Sequence, residues 1–161
     1  MRISGLFLSL TILWVLLLPA CNETEQVLTD GTLTLNLELV DQEGLPGSRF
    51  VSGEPITLAL IIENLSARTH AIAFGCEPFV ARVVTDGVLV WGNVDHCMAI
   101  QWVELAPGEA TVRLLPWDQT VEGGEQAPPG TYWAHGEVLE VIPPGRLTSD
   151  PVTFEIQMPP S

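Results

Sequence analysis

The side chains with the richest chemistry in this sequence are sulfur and imidazole groups. They are His70, Cys76, His96, Cys97, Met98 and His135, with a further cysteine at position 21. Soft ligands of this kind can hold copper in a β-sandwich. However, His96, Cys97 and Met98 are adjacent, and neighbouring side chains of an extended segment point to opposite faces. The spacing therefore favours a disulfide with surface histidines, and it predicts no metal site and no cofactor.

Cys21 follows a segment with the features of an export signal. An apolar run from Phe7 to Leu18 lies behind Arg2, a length that suits a signal peptide and is short for a membrane span. The run ends in Leu18-Pro19-Ala20-Cys21, which resembles the lipobox of bacterial lipoproteins. That resemblance implies cleavage after residue 20, a diacylated Cys21 and an extracytoplasmic protein anchored to the membrane of the cell envelope. An ordinary cleaved signal is the alternative, but Leu18 fits its A-x-A pattern poorly.

The remaining chain is long enough for one domain. Residues 1–20 are the expected signal peptide, residues 21–31 the lipidated cysteine with a polar tether, and residues 32–161 the folded domain. With Cys21 assigned to lipid, Cys76 and Cys97 remain as a pair in a compartment where disulfides persist. We predict that they are bridged, which contributes about 3 kcal/mol for a loop of about 20 residues.

Groups suited to catalysis are sparse. Ser48, Ser52, Ser66 and Ser149 lie in turn-like sequence, and none belongs to a Gly-x-Ser-x-Gly elbow. The carboxylates follow strand alternation or lie in loops, where solvated side chains are the rule. The sequence therefore predicts no catalytic residue, and we expect a protein that is not an enzyme.

Charge restricts the partners. The chain has a formal net charge of −14 and contains no lysine. Loss of the signal removes Arg2 and leaves five arginines against 20 acidic residues. Such a balance repels nucleic acid and anionic lipid surfaces, so a nucleic-acid-binding role is not expected.

The elements that must position these groups are short strands. The main one follows the turn at Gly53 and ends at Asn64, with Ile56, Leu58, Leu60 and Ile62 on one face. It reads as a central strand. Further strands are predicted at residues 32–40, 69–74, 79–85, 88–91, 100–105, 110–117, 131–141 and 152–158.

Turn signals separate these strands. Asp86-Gly87 predicts a hairpin, and the stretch after Ala110 alternates through Val112 and Leu114. Residues 41–53 and 118–129 read as connections because they are rich in Gly and Pro. No window has a sustained helical period. The pattern predicts an all-β fold, an antiparallel immunoglobulin-like β-sandwich of about eight to nine strands.

Four tryptophans follow the signal: Trp91, Trp102, Trp117 and Trp133. Large aromatic side chains line interfaces, but in a small sandwich they more often fill the core. We therefore expect core positions for them. Loops on the rigid strand framework are the expected binding surface.

Several landmarks in order resemble the BsuPI family of intracellular proteinase inhibitors, over roughly residues 33 to 140. They are Phe50-x-x-Gly53-Glu54-Pro55-Ile56 leading to Asn64, Phe79, Asp86-Gly87-x-x-Val90-Trp91, Leu105-x-Pro107-Gly108-Glu109, Trp117 and Pro129-Gly130-Thr131-Tyr132.

The resemblance implies a β-sandwich related to an inhibitor of a bacterial serine protease. We expect a non-catalytic, membrane-anchored module that engages a protein partner through loops such as Gly92 to Ala99 or Asp118 to Pro128. The alternative is a structural or assembly domain of an envelope lipoprotein without inhibitory activity.

Overall fold

The computed structural model describes residues 32–74, 79–93, 101–139 and 146–160. Within them the chain is an all-β sandwich, as the alternation predicts. The strands are β1 (Leu33–Val40), β2 (Arg49–Val51), β3 (Ile56–Asn64), β4 (His70–Phe74), β5 (Phe79–Thr85), β6 (Val88–Gly92), β7 (Gln101–Leu105), β8 (Ala110–Trp117), β9 (Gly130–Leu139), β10 (Arg146–Thr148) and β11 (Val152–Gln157).

Two sheets form the layers. One is three-stranded in the order β1-β3-β8, and the other runs β2-β11-β9-β5-β6 with β10 paired to the end of β9. Strands β4 and β7 form a separate two-stranded ribbon. Across the part of the chain that the structure describes, no helix has the length and apolarity to span a membrane.

Strand β3 is central, as its sequence predicts. It pairs with β1 on one side and β8 on the other, and Ile56, Leu58, Leu60 and Ile62 are all fully buried. The four alternating leucines of β1 face the same core, because Leu35, Leu37 and Leu39 lie opposite members of the β3 row. The two-residue period of both strands thus builds one inner face.

Aromatic side chains fill one end of the core. Trp117, which is 1% exposed, has its ring centroid 6.0 Å from Trp91, 6.3 Å from Tyr132 and 6.4 Å from Phe154. The Tyr132 hydroxyl donates a 2.5 Å hydrogen bond to the carbonyl of Pro128, four residues upstream. This is the tyrosine corner found in immunoglobulin-like sandwiches.

The predicted hairpin at Asp86-Gly87 is confirmed. Both residues have positive φ, 49° and 76°, which is the backbone of a two-residue turn between β5 and β6. The ladder shifts register between Val83 and Val84, so that Val83 lies opposite Trp91 and Val84 opposite Leu89. This bulge bends β6 at the edge of its sheet.

Two strands fall where none was predicted. Strand β2 lies inside the connection 41–53, and β10 spans Arg146–Thr148, before the predicted last strand. Each has three residues, too few to show a period, and each depends on a distant partner. Strand β2 pairs with β11 in parallel, whereas the other paired strands of the described residues are antiparallel, as predicted.

The placements of two tryptophans differ from expectation, and β8 buries only one of its two apolar rows. In β8 the buried residues are Leu115 and Trp117, whereas Val112 and Leu114 are 53% and 58% exposed. Trp102 is 64% and Trp133 38% exposed, so neither is a core residue. Trp117 is in the core and Trp91 packs against it, as expected. Pairing with β3 sets the phase of β8, since Leu115 must lie beside Leu58.

Candidate binding groove

An open groove lies between the bulged strand β6 and the turn at residues 120–122. Its volume is about 520 Å³. The walls and floor are Val80, Arg82, Leu89, Val90, Trp91, Gly92, Asn93, Thr120, Val121 and Glu122. Most of these lining side chains are apolar. The charged ones are Arg82 on β5 and Glu122 on the turn. The lining includes Gly92 and Asn93, the first residues of one predicted binding loop, and residues 120–122 of the other; residues 94–99 lie outside the described residues.

The segment 118–128 is fixed to the sandwich by a buried amide. Gln119 is fully buried, and its Nε2 donates to the Val51 carbonyl at 2.9 Å. Its Oε1 accepts from the Gly53 backbone N–H, also at 2.9 Å. Gln119 adopts φ 61°, a left-handed conformation that costs a non-glycine residue energy. The two long-range hydrogen bonds offset that cost and hold the start of the segment on the β2–β3 turn.

The rest of the turn is bound to the strands beside it. Indole Nε1 of Trp117 donates to the Thr120 carbonyl at 2.8 Å. The Glu122 backbone N–H donates to the Val90 carbonyl at 3.2 Å, which attaches the turn to β6. Ala127 is 1% exposed and closes the segment against the core. The turn is therefore a rigid wall of the groove.

Asp118 stabilises the same turn from its exposed side. Its Oδ1 accepts from the Thr120 hydroxyl at 2.6 Å and from the Thr120 backbone N–H at 3.0 Å. These two hydrogen bonds lower the pKa of the Asp118 carboxyl below its ordinary value of 3.8. The carboxylate is consequently charged at neutral pH, next to the groove.

The opposite wall is held by Asn93. Its side-chain amide donates to the Phe79 carbonyl at 2.7 Å and accepts from the Ala81 backbone N–H at 2.6 Å. It continues the β5 ladder where β6 ends, so the strand end is satisfied without a further strand. Trp91 forms the floor and packs on Trp117.

Arg82 marks one end of the groove and is engaged by β9. Its Nη1 lies 3.0 Å from Glu137 Oε1, and His135 Nε2 lies 3.8 Å from the same oxygen. On the turn, Glu122 lines the groove and is exposed. The groove thus combines an apolar floor with one neutralised cation and an exposed carboxylate.

The serines weighed for catalysis have structural hydrogen bonds. Ser66 Oγ donates to Asn64 Oδ1 at 2.8 Å or to the Arg68 carbonyl at 2.9 Å. Ser149 Oγ accepts from the Gly136 backbone N–H at 2.9 Å. Ser48 and Ser52 use their backbone to pair with β11. None of these contacts joins a serine to a histidine.

The other predicted groups lie apart or outside the described residues. Cys21, Cys76 and Cys97 fall outside, with His96 and Met98, so the predicted lipid and disulfide stay predictions. His70 lies on β4 and His135 on β9, in different sheets. In residues 32–74, 79–93, 101–139 and 146–160, no three His, Cys, Asp or Glu side chains are placed to hold a metal ion.

Sequence reasoning missed the residues that build the groove. The anchoring amides of Gln119 and Asn93 act through backbone groups 66 and 14 residues away, and no local pattern marks such contacts. Arg82 could have been found, since it occupies an outward position of the strand that was predicted at residues 79–85.

No family model and no curated protein matches this chain. Solved structures with a similar fold include a DNA glycosylase AlkC of Pseudomonas fluorescens bound to DNA, with 14% identity and TM-score 0.44, covering 78% of this chain and 30% of that protein. A Listeria innocua β-glucosidase in complex with glucose has 14% identity and TM-score 0.41, covering 77% and 16%. The CARDB domain of PF1109 from Pyrococcus furiosus, in complex with di-metal ions, has 16% identity and TM-score 0.38, covering 78% and 91%. The chain spans less than a third of the first two proteins, and the similarity is one of fold.

Proposed function

We propose that this chain is a non-catalytic binding module that engages a protein partner through the groove between β6 and the 120–122 turn. The resemblance of its landmarks to BsuPI-type inhibitors makes a serine protease of the cell envelope the partner class that we expect. The acylated Cys21 would anchor the module to the membrane, since two acyl chains give stable attachment.

The observation that carries this proposal is the fixed wall of the groove. The turn is attached to β6 through the Glu122 backbone N–H and to the β2–β3 turn through the Gln119 side-chain amide, and the opposite wall is held by the Asn93 side-chain amide. A groove that is already formed costs little ordering entropy when a partner segment enters it. Exposed apolar floor residues, such as Leu89 at 52%, would supply the contact area.

Charge indicates the kind of segment that would enter. The chain carries a formal net charge of −14, and Asp118, Glu122 and Glu125 are exposed on the groove's turn segment. A basic partner would be steered toward this surface, and the association rate would fall as salt screens the attraction. An extended segment with Lys or Arg beside an apolar residue fits both the rim and the floor.

A second candidate is a structural or assembly domain of an envelope lipoprotein. It is favoured by Val112 and Leu114, which follow the two-residue period on one face of β8 and are both exposed. Exposed apolar neighbours of this kind are typical of surfaces that pack against other proteins.

Affinity capture of the full-length lipoprotein from membranes tests the proposal, with mass spectrometry of the captured proteins and of the N-terminal peptide. We expect a protease together with an acylated Cys21. Leu89→Asp should abolish that capture, while Leu45→Asp, the same change at a leucine that is 62% exposed outside the groove, should preserve it. Capture of envelope structural proteins without a protease, unaffected by Leu89→Asp, would favour the structural role.

A further inference from the structure

The outer face of the six-stranded sheet carries polar and aromatic groups beside the groove, and Arg82 belongs to both. On β9, Trp133, His135 and Glu137 follow the two-residue period and share this face, while Tyr132 and Ala134 between them are buried. Arg82 of β5 lies directly opposite His135 in the ladder. We call Trp133, His135, Glu137 and Arg82 the outer strip.

The groups of the outer strip hold one another in place. The rings of Trp133 and His135 stack with centroids 6.5 Å apart and planes at 29°. Glu137 Oε1 lies 3.0 Å from Arg82 Nη1 and 3.8 Å from His135 Nε2. The Glu137 side chain is only 13% exposed, so the carboxylate is shielded and its orientation is set by its neighbours. The strip is a preformed arrangement.

An apolar edge borders the indole. Val84 of β5 lies opposite both Trp133 and Leu89 in the ladders, so an aliphatic row continues from the indole across β5 to β6. Arg82 and Glu137 lie further along the same strands. The strip therefore presents an exposed aromatic surface, 38% exposed at Trp133, next to a fixed guanidinium and a fixed carboxylate.

We propose that the outer strip binds a neutral saccharide. The C–H face of a pyranose ring would pack on the Trp133 indole, since the electron-rich ring face attracts polarised C–H groups. Guanidinium N–H groups of Arg82 would donate to ring hydroxyl oxygens, and the Glu137 carboxylate would accept from hydroxyl groups. A pyranose has an apolar C–H face and hydroxyl groups at its edge. This arrangement matches the Trp133 indole with Arg82 and Glu137 beside it.

Charge selects a neutral ligand. Arg82 and Glu137 form an ion pair whose formal charges cancel, on a chain with a formal net charge of −14. Anionic glycans would be repelled by the chain as a whole. A basic protein segment would find stronger attraction at the acidic groove turn than at the strip. The inference does not depend on the proposed protein partner.

Titration of the full chain with cellohexaose, laminarihexaose and chitohexaose tests the proposal, by tryptophan fluorescence and by calorimetry. We expect saturable binding of at least one of these neutral oligosaccharides. Trp133→Ala should weaken it by about tenfold or more, the loss of one stacking contact. Trp102→Ala removes another exposed indole, on the β4–β7 ribbon, and should leave the affinity unchanged.

Glu137→Gln separates a binding strip from a merely structural one, because it keeps the shape and removes the charge. We expect weaker saccharide binding at a temperature at which circular dichroism shows the variant to be folded; loss of the ion pair with Arg82 lowers the unfolding temperature. The proposal is overturned if none of the three oligosaccharides binds the wild-type chain, if Trp133→Ala and Trp102→Ala bind equally well, or if Trp133→Ala impairs only the capture of a protein.

Discussion

Leu60 of β3 and Gly136 of β9 approach each other so closely across the sandwich that a methyl group on residue 136 would overlap the leucine side chain. A Cβ atom built there would also lie 3.4 Å from Leu60 Cγ and 3.6 Å from its Cδ1. The glycine backbone cannot easily retreat, because its N–H donates to Ser149 Oγ and its carbonyl accepts from the Ser149 N–H, both at 2.9 Å. This contact sets the spacing of the two layers where they meet.

Gly136→Ala is therefore expected to lower the free energy of unfolding by about 1–3 kcal/mol, the usual cost of overpacking a core. The midpoint of urea unfolding measures it. Gly130→Ala on the same strand is the matched control, since the nearest atom to its added Cβ is 4.0 Å away. That variant should change stability by less than about 1 kcal/mol.

A double-mutant cycle identifies the cause. If the clash with Leu60 is responsible, Gly136→Ala should cost much less in a Leu60→Ala background, where the leucine side chain has been removed. Equal costs in both backgrounds would mean that the strain arises elsewhere along β9.

Asn64 is a buried polar junction at the end of β3. It is fully buried, and its Nδ2 lies within hydrogen-bond distance of the carbonyls of Arg68, Leu105 and Ala106, at 2.7, 2.9 and 3.1 Å. Its Oδ1 accepts from the Ser66 N–H at 3.0 Å. Asn64→Asp places an oxygen against three carbonyl oxygens, and we expect a loss of about 3 kcal/mol or more at neutral pH.

The loss in the free energy of unfolding caused by Asn64→Asp should be smaller at acidic pH, because a protonated carboxyl can donate one of the lost hydrogen bonds. Asn36→Asp makes the same chemical change at an exposed position of β1 and should cost less than about 0.5 kcal/mol. Chemical denaturation across the acidic range measures both. A pH-independent deficit at position 64 would contradict this account.

Tyr132 should make the sandwich sensitive to alkali. Burial, and secondarily the negative charge of Asp86, raise the pKa of its phenol above the ordinary 10.0. The folded state thus favours the protonated phenol. The resulting contribution to the free energy of unfolding is fully present below pH 10, the ordinary pKa of a tyrosine phenol. It is lost as the pH rises through the higher pKa of the folded state.

Two features make that titration easy to read: Tyr132 is the single tyrosine of the chain, and there is no lysine. Tyrosinate absorbance of the folded protein should rise at higher pH than in denaturant. Tyr132→Phe should cost about 1 kcal/mol, through loss of the hydroxyl's bond to Pro128, and should flatten the alkaline fall in stability. An ordinary phenol titration in the folded state would refute the burial argument.

The fold was largely predictable because alternation is a local signal. The inward-facing apolar residues of β1 and β3, and the turn at Asp86-Gly87, can each be identified from a few neighbouring residues. Strands β2 and β10 could not be identified in this way, since three residues show no period and their pairing depends on distant strands. The buried face of β8 could not be identified for a related reason: Val112 with Leu114 and Leu115 with Trp117 each form an apolar row, and only pairing with β3 selects the second.

The exposure of Trp133 could have been predicted. Adjacent residues of a strand face opposite sides, so Tyr132 and Trp133 cannot both enter the core. The tyrosine, with its hydroxyl bonded to the turn before the strand, takes the inner position. By contrast, the groove could be predicted only as a pair of candidate loops, because the buried amide of Gln119 that fixes one of them contacts backbone 66 and 68 residues away.

The side-chain amide of Gln119 should stabilise the segment 118–128. Gln119→Ala removes both hydrogen bonds to the β2–β3 turn and leaves the left-handed backbone of residue 119 without compensation. We expect a loss of about 1–3 kcal/mol, together with faster hydrogen exchange at the amides of Gly53 and Ala127, which anchor the segment. Gln42→Ala, at an exposed glutamine in the turn after β1, is the control and should change neither quantity. If Gln119→Ala destabilises the fold but leaves exchange at both amides unchanged, the segment 118–128 is held by contacts other than this side chain, and the groove wall is rigid for a different reason.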